Sequence, residues 1–214
     1  MYYEYGDKEV GYLKRKDKRL GEAIDRVGHI FREVNGDVFS SVVHSIVGQQ
    51  ISSAALKTVW SRLNDLLGKV DAETICAASR EELQSCGITF KKADYIKGFA
   101  DKTLSGEFDA AALYSLSDKD VISYLSALRG IGVWTAEMLM VFCLQRPDVM
   151  SFGDLAIHRG LRMLYHHRKI DRRLFGKYAR RYSPYGTVAS LYLWAIAGGA
   201  IPEMRDYTLG KAEN

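Results

Sequence analysis

Proline, cysteine and uninterrupted apolar sequence are all scarce in this chain. Only 3 of its 214 residues are proline, so little interrupts helix formation. Outside the first dozen residues no stretch alternates apolar and polar side chains as a half-buried strand would. No run approaches the roughly 18 apolar residues that cross a bilayer. The opening MYYEYGDKEVGYLKRKDK is polar and lacks the apolar centre of a secretion signal. These absences lead us to expect a cytoplasmic protein with no membrane partner. The three cysteines, Cys76, Cys86 and Cys143, sit in apolar surroundings without a pairing pattern, which is the mark of reduced, buried thiols. No spacing of His, Cys and carboxylates suits zinc, so no metal site is expected. Repeats, low-complexity tracts and long linkers are missing as well.

What is present is helix. Hydrophobic residues make up 47% of the chain, enough for a sizeable core. Apolar residues recur at helical spacing, and cap residues punctuate them. Asp17 or Lys18 opens a helix expected to run to about 34, and Asp37 caps the next, VFSSVVHSIVGQQ. Ser52 or Ser53 starts AALKTVWSRLNDLLG, which Gly68 stops. Ser79 with Glu82 forms a capping box, Thr89 caps FKKADYIKGFADKTL, and Ser117 with Asp120 starts VISYLSAL. Further helices are expected from Asp154 to about 165, from 171 to 182 and from 184 to about 197. The class is all-α.

The charge is mildly basic, +4 with a pI of about 8.8, which permits a polyanionic partner without requiring one. Its distribution says more. Lys14, Arg15, Lys16, Lys18 and Arg19 form one cluster; Arg168, Lys169, Arg172, Arg173, Lys177, Arg180 and Arg181 form another. For any single residue a solvated helix face is the simpler explanation, but two clusters favour some contact with a nucleic-acid backbone.

The stretch 125–159, LSALRGIGVWTAEMLMVFCLQRPDVMSFGDLAIHR, organises the rest. It reads as an apolar helix, a Gly-x-Gly turn at Gly130, Ile131 and Gly132, a second helix from about 134 to 145, and Asp154 at the start of a third. The glycines let the backbone turn where a side chain would clash. The amides at the start of the second helix, with the helix dipole, make an anion site. With Leu128 before the turn and Trp134 and Thr135 after it, the arrangement resembles the helix-hairpin-helix DNA glycosylase superfamily. DVFSSVVHSIVGQQISSAAL at 37–56, GITFKKADYIKGFA at 87–100, SFGDLAIHRG at 151–160 and SPYGTVASLYLWAIA at 183–197 extend the likeness, the last toward the 3-methyladenine DNA glycosylase II branch.

That resemblance implies a two-lobed fold with the active cleft between the lobes. Residues 37–146 would form the central lobe with the hairpin, and 1–36 with 147–214 the lobe carrying the catalytic Asp. About 36 residues precede the core, too few for the β-rich N-terminal domain of the best-known members of the branch. Three cysteines also cannot supply the four thiolates of the iron–sulfur cluster that some relatives carry. The activity implied is hydrolysis of the N-glycosidic bond of an alkylated purine after base flipping, as a step of base excision repair. The partner would be double-stranded DNA containing a damaged base, bound by a monomer.

Residue by residue, the resemblance makes Asp154 the catalytic carboxylate, a role compatible with capping a helix. Leu128, Gly130, Gly132 and Thr135 would hold a DNA phosphate. Trp134 stands where bifunctional members carry the lysine that forms a Schiff base, so a monofunctional enzyme using water is implied. Trp134 and Trp194 would wall the base pocket, where indoles suit an electron-poor, cationic base. Other pocket aromatics of the branch are replaced by Met138 and Leu155. Gln49 and Gln50 end a helix at the turn where the family inserts a wedge; Gln50 matches the wedge, with Ile51 as its apolar neighbour. His44 and His158 are left outside the site. No cofactor is expected, although the superfamily commonly holds a monovalent cation at the hairpin through main-chain carbonyls. Two rival readings stay open: a glycosylase for another damaged or mismatched base, and a lesion-binding module without activity.

Overall fold

The structure, a computed structural model, describes residues 1–208 of the chain. Among these residues it holds twelve α-helices, one 3-10 turn and no β-sheet, only an isolated antiparallel bridge between Tyr2 and Glu33. The described chain divides into two compact units, residues 35–144 and residues 1–34 with 145–208.

The unit of residues 35–144 contains α3 (Val38–Gly48), α4 (Ser53–Leu67), α5 (Ala72–Ala77), α6 (Arg80–Ser85), α7 (Phe90–Leu104), α8 (Asp118–Ser126) and α9 (Val133–Phe142). Most of the starts are capped as the sequence dictates: Asp37, Ser52, Ser79, Thr89 and Ser117 each accept a hydrogen bond from the amide three residues on. Val42, Val43, Ile46, Leu63, Ile96, Val121 and Val141 are fully buried at its centre. A chain of rings, Phe39 on Phe99 at 4.9 Å and Phe99 on Phe108 at 4.9 Å, closes one side.

The other unit contains α1 (Asp7–Lys16), α2 (Lys18–Val27), α10 (Leu155–Tyr165), α11 (Arg172–Tyr182) and α12 (Gly186–Ala197). Helix α12 is its centre, with nearly every side chain buried. Helix α10 crosses it closely: a Cβ on Gly160 would stand 2.4 Å from the Leu193 carbonyl oxygen, so only glycine permits the approach.

Several boundaries differ from the sequence expectations. The helix opened by Asp17 ends at Val27, not near 34, because Gly28 takes φ +76. Residues 32–34 instead pair with the N-terminus, through Tyr3 N–H to the Arg32 carbonyl and Val34 N–H to the Met1 carbonyl. The polar opening holds helix α1, for which its composition gave no apolar period. Helix α5 also escaped notice; Asp71 and Thr74 form its capping box. The helix after the Gly-x-Gly turn stops at Phe142 rather than near 145, and the last begins at Gly186 rather than 184.

Candidate active site

Asp154 is the N-cap of α10 and is 6% exposed. The Ala156 and Ile157 amides both donate to its Oδ1 at 2.9 Å, so the cap falls on one of its two oxygens. The loop before it is held from within the same unit. His158 Nε2 lies 2.8 Å from the Phe152 carbonyl oxygen, and the Phe152 ring packs edge-on against Phe175 at 5.1 Å. Ser190 Oγ donates to the Val149 carbonyl at 3.1 Å. A carboxylate fixed this way has little freedom to reorient. His158, which the sequence left out of the site, proves to anchor the loop that presents Asp154. Immediately after the carboxylate, Leu155 is 84% exposed. Trp194 is half-buried on α12, the helix crossed by α10.

In the other unit, α8 and α9 are joined by the turn 127–132. Leu128 and Ile131 are buried beneath it, and Ile131 N–H donates to the Leu128 carbonyl at 3.1 Å. The α9 ladder begins with Ala136 N–H on the Gly132 carbonyl at 2.9 Å, and no side chain caps the helix. Its first-turn amides therefore lie ahead of the ladder, and Thr135 is buried among them. The two glycines do different work, a correction to reading both as relief from clash. Gly130 has φ +88, and a Cβ there would stand 2.6 Å from Tyr95 Cδ2. Gly132 has φ −93, and a Cβ there meets nothing within 4 Å. Gly130 is glycine for the fold, whereas bareness at Gly132 keeps the helix start open.

Trp134 is 49% exposed, and Met138, one turn later on the same face of α9, is half-buried. Gln50 is exposed in the left-handed region at φ +58, where non-glycine residues are uncommon, and Ile51 beside it is also exposed. This α3–α4 turn is tied down inside its unit by two side chains, Gln49 and Lys92. Gln49 Nε2 donates to the Gly130 carbonyl at 2.5 Å. Lys92 Nζ donates to the carbonyls of Val47 at 2.8 Å and Gln49 at 2.6 Å, covering the exposed end of α3. Burial holds the Lys92 amine below its ordinary pKa. No local signal marks these contacts, since the partners lie 43 to 81 residues apart. Among the described residues no group of His, Cys, Asp and Glu could hold a metal ion.

The predicted site residues thus fall into two sets. Asp154, Leu155 and Trp194 belong to one unit; Gln50, Ile51, Trp134, Met138 and the hairpin belong to the other. Ile51, Trp134 and Leu155 are among the large apolar side chains left exposed.

The family model of the HhH-GPD superfamily base excision DNA repair protein matches residues 43–182. The chain belongs to the HhH-GPD superfamily. The matched stretch takes in Gln50, the α8–α9 hairpin and Asp154, and stops before Trp194. A crystal structure of a DNA-3-methyladenine glycosidase from Bacillus halodurans is similar, with a TM-score of 0.85 at 35% identity over 97% of both chains. A 3-methyladenine DNA glycosylase of Schizosaccharomyces pombe, solved in complex with abasic DNA, gives a TM-score of 0.77 at 27% identity over 94% of this chain and all of that one. DNA-3-methyladenine glycosylase 1 of the same yeast is 30% identical over 175 residues, 79% of this chain and 75% of its own. The two solved structures share the fold of this chain.

Proposed function

We propose that this protein is a monofunctional DNA glycosylase that hydrolyses the N-glycosidic bond of alkylated purines of the 3-methyladenine type. Family membership and the names of its relatives support the reaction class. The observation that carries the mechanism is Asp154, a buried carboxylate fixed by two amides at a helix start. As the base leaves, the sugar becomes cationic, and a pre-positioned carboxylate stabilises that charge without having to reorganise. It also orients the water that completes hydrolysis.

The remaining residues take supporting roles. Gln50, at the tip of a pinned turn, fills the space vacated by the flipped base, with Ile51 against it. Trp134, Met138, Leu155 and Trp194 contact the extruded base, and the two indoles favour one carrying positive charge. The α9 amides take a phosphate. Because Trp134 offers no amine, no Schiff base forms at that position.

Two assays test this reading. Incubation with methylated duplex DNA should release free alkylated base, and borohydride should trap no protein–DNA adduct. Release of other damaged bases only would move the specificity elsewhere. A trapped adduct would overturn the monofunctional assignment and point to a lysine near the sugar.

A further inference from the structure

Helix α11 has two unlike sides. Phe175, Tyr178 and Tyr182 are buried, while Arg173, Lys177 and Arg180, at spacings of four and three, are exposed on the opposite face. Its sequence, RRLFGKYARRY, has five cations and no carboxylate. An ordinary solvated helix mixes both signs. Among the described residues no acid pairs with Arg173, Lys177 or Arg180.

The charge continues at both ends. At the C-terminal end Arg181 pairs with Asp17, the buried residue between α1 and α2. That pairing draws the first basic cluster against the second. Lys16, Lys18 and Arg19 line an open basin of about 410 Å³ with Tyr165 and Arg181, and Asp17 is its one carboxylate. The field is felt inside the unit: burial first, and the Arg19 charge second, push His167 below its ordinary pKa. At the N-terminal end the Arg172 guanidinium lies over the Phe152 ring, 4.3 Å from its centroid, and Phe152 is two residues from Asp154. A basic track therefore runs from the Asp154 loop along α11, about 16 Å of helix, to the α1–α2 junction.

We propose that this track is a second DNA-backbone surface, in the unit that carries Asp154, which takes phosphates of the duplex flanking the lesion. The proposal rests on the reading of the protein as a DNA glycosylase. Charge complementarity selects a polyanion, and the absence of exposed large apolar residues on α11 sets aside a lipid surface, which an interfacial helix would need to enter. The contacts would be independent of sequence and would lengthen the footprint on DNA.

The test compares two triple variants of equal charge. One removes Arg173, Lys177 and Arg180 as glutamines; the control removes Lys69, Lys102 and Lys119, on the other unit, the same way. Binding of an undamaged duplex of about three helical turns is titrated by anisotropy across salt. Each lost phosphate contact should reduce the slope of log affinity against log salt by about 0.9, so the α11 variant should lose about 2.7. Between 50 and 200 mM salt, wild-type affinity should then fall roughly 40-fold more than that of the variant. The control should keep the wild-type slope. Base excision at saturating DNA should be unchanged in the control. An α11 variant with the wild-type slope, or a control that loses as much, overturns the proposal. Wild-type protein that binds DNA yet releases no base overturns the glycosylase reading instead, and the slopes still decide the surface.

Discussion

Gln49 donates its side-chain amide to the carbonyl of Gly130, joining the turn that carries Gln50 to the turn that opens α9. This hydrogen bond links two turns of one unit, both of which the proposed function assigns to DNA contact. Gln49→Ala should cost about 1 kcal/mol of stability, or roughly 2–4 °C in Tm. Base excision should fall further than that loss explains, because Gln50 loses its footing. A calorimetric melt with single-turnover excision checks both. Excision at the wild-type rate would mean the bond is structural only.

The two glycines of the hairpin should separate fold from binding. Gly130→Ala puts a Cβ 2.6 Å from Tyr95 Cδ2 at φ +88, so it should lower Tm by several degrees. Gly132→Ser meets open space, at a helix N-cap where serine is favoured, so Tm should hold or rise. Its side chain would stand in the path of a phosphate, so DNA affinity should drop on every sequence. A Gly132→Ser protein with wild-type affinity would show that the hairpin does not hold the backbone.

Asp154→Asn should separate the cap from the chemistry. Asparagine caps as well as aspartate does, so Tm should stay within about 2 °C while excision falls by roughly a hundredfold or more. Asp154→Ala should lose the cap as well, at a further cost of about 1 kcal/mol. DNA binding should persist in both. An Asn variant that excises normally would remove Asp154 from the mechanism.

Arg162 grips Asp206 with two hydrogen bonds, at 2.7 and 2.6 Å, which hold the Asp206 carboxyl far below the usual carboxylate range. A depressed folded pKa gives stability that is present above the unfolded value, about 3.9, and is lost as pH falls through the folded one. Asp206→Asn should therefore lower stability by about 1 kcal/mol at neutral pH, allowing for solvent screening. The gap between variant and wild type should narrow as the solution is acidified below about pH 4. A gap that stays constant down to pH 2 in urea melts would contradict this assignment.

The sequence by itself determined the all-α class and most helix starts, because a cap speaks over three or four residues. Asp37, Ser52, Ser79, Thr89, Ser117 and Asp171 each bond to the amide three residues on, a relation written in the order of the chain. Motif spacing likewise put the Gly-x-Gly turn between two helices and Asp154 at the start of a third. Helix α1 was illegible because a polar segment leaves no apolar period to read, and residues 28–34 because their partners are the chain's first residues.

Only the tertiary structure decided which glycine the fold demands, since that depends on Tyr95 lying beneath Gly130, 35 positions away in sequence. It decided that Gln49 and Lys92 pin the α3–α4 turn, that His158 steadies the loop before Asp154, and that Gly160 lets α10 press on the backbone of α12. It also brought two separate runs of basic residues together through Arg181 and Asp17. Each of these is a meeting of side chains from distant segments, and nothing in the local order of residues encodes who will be across the gap once the chain has packed.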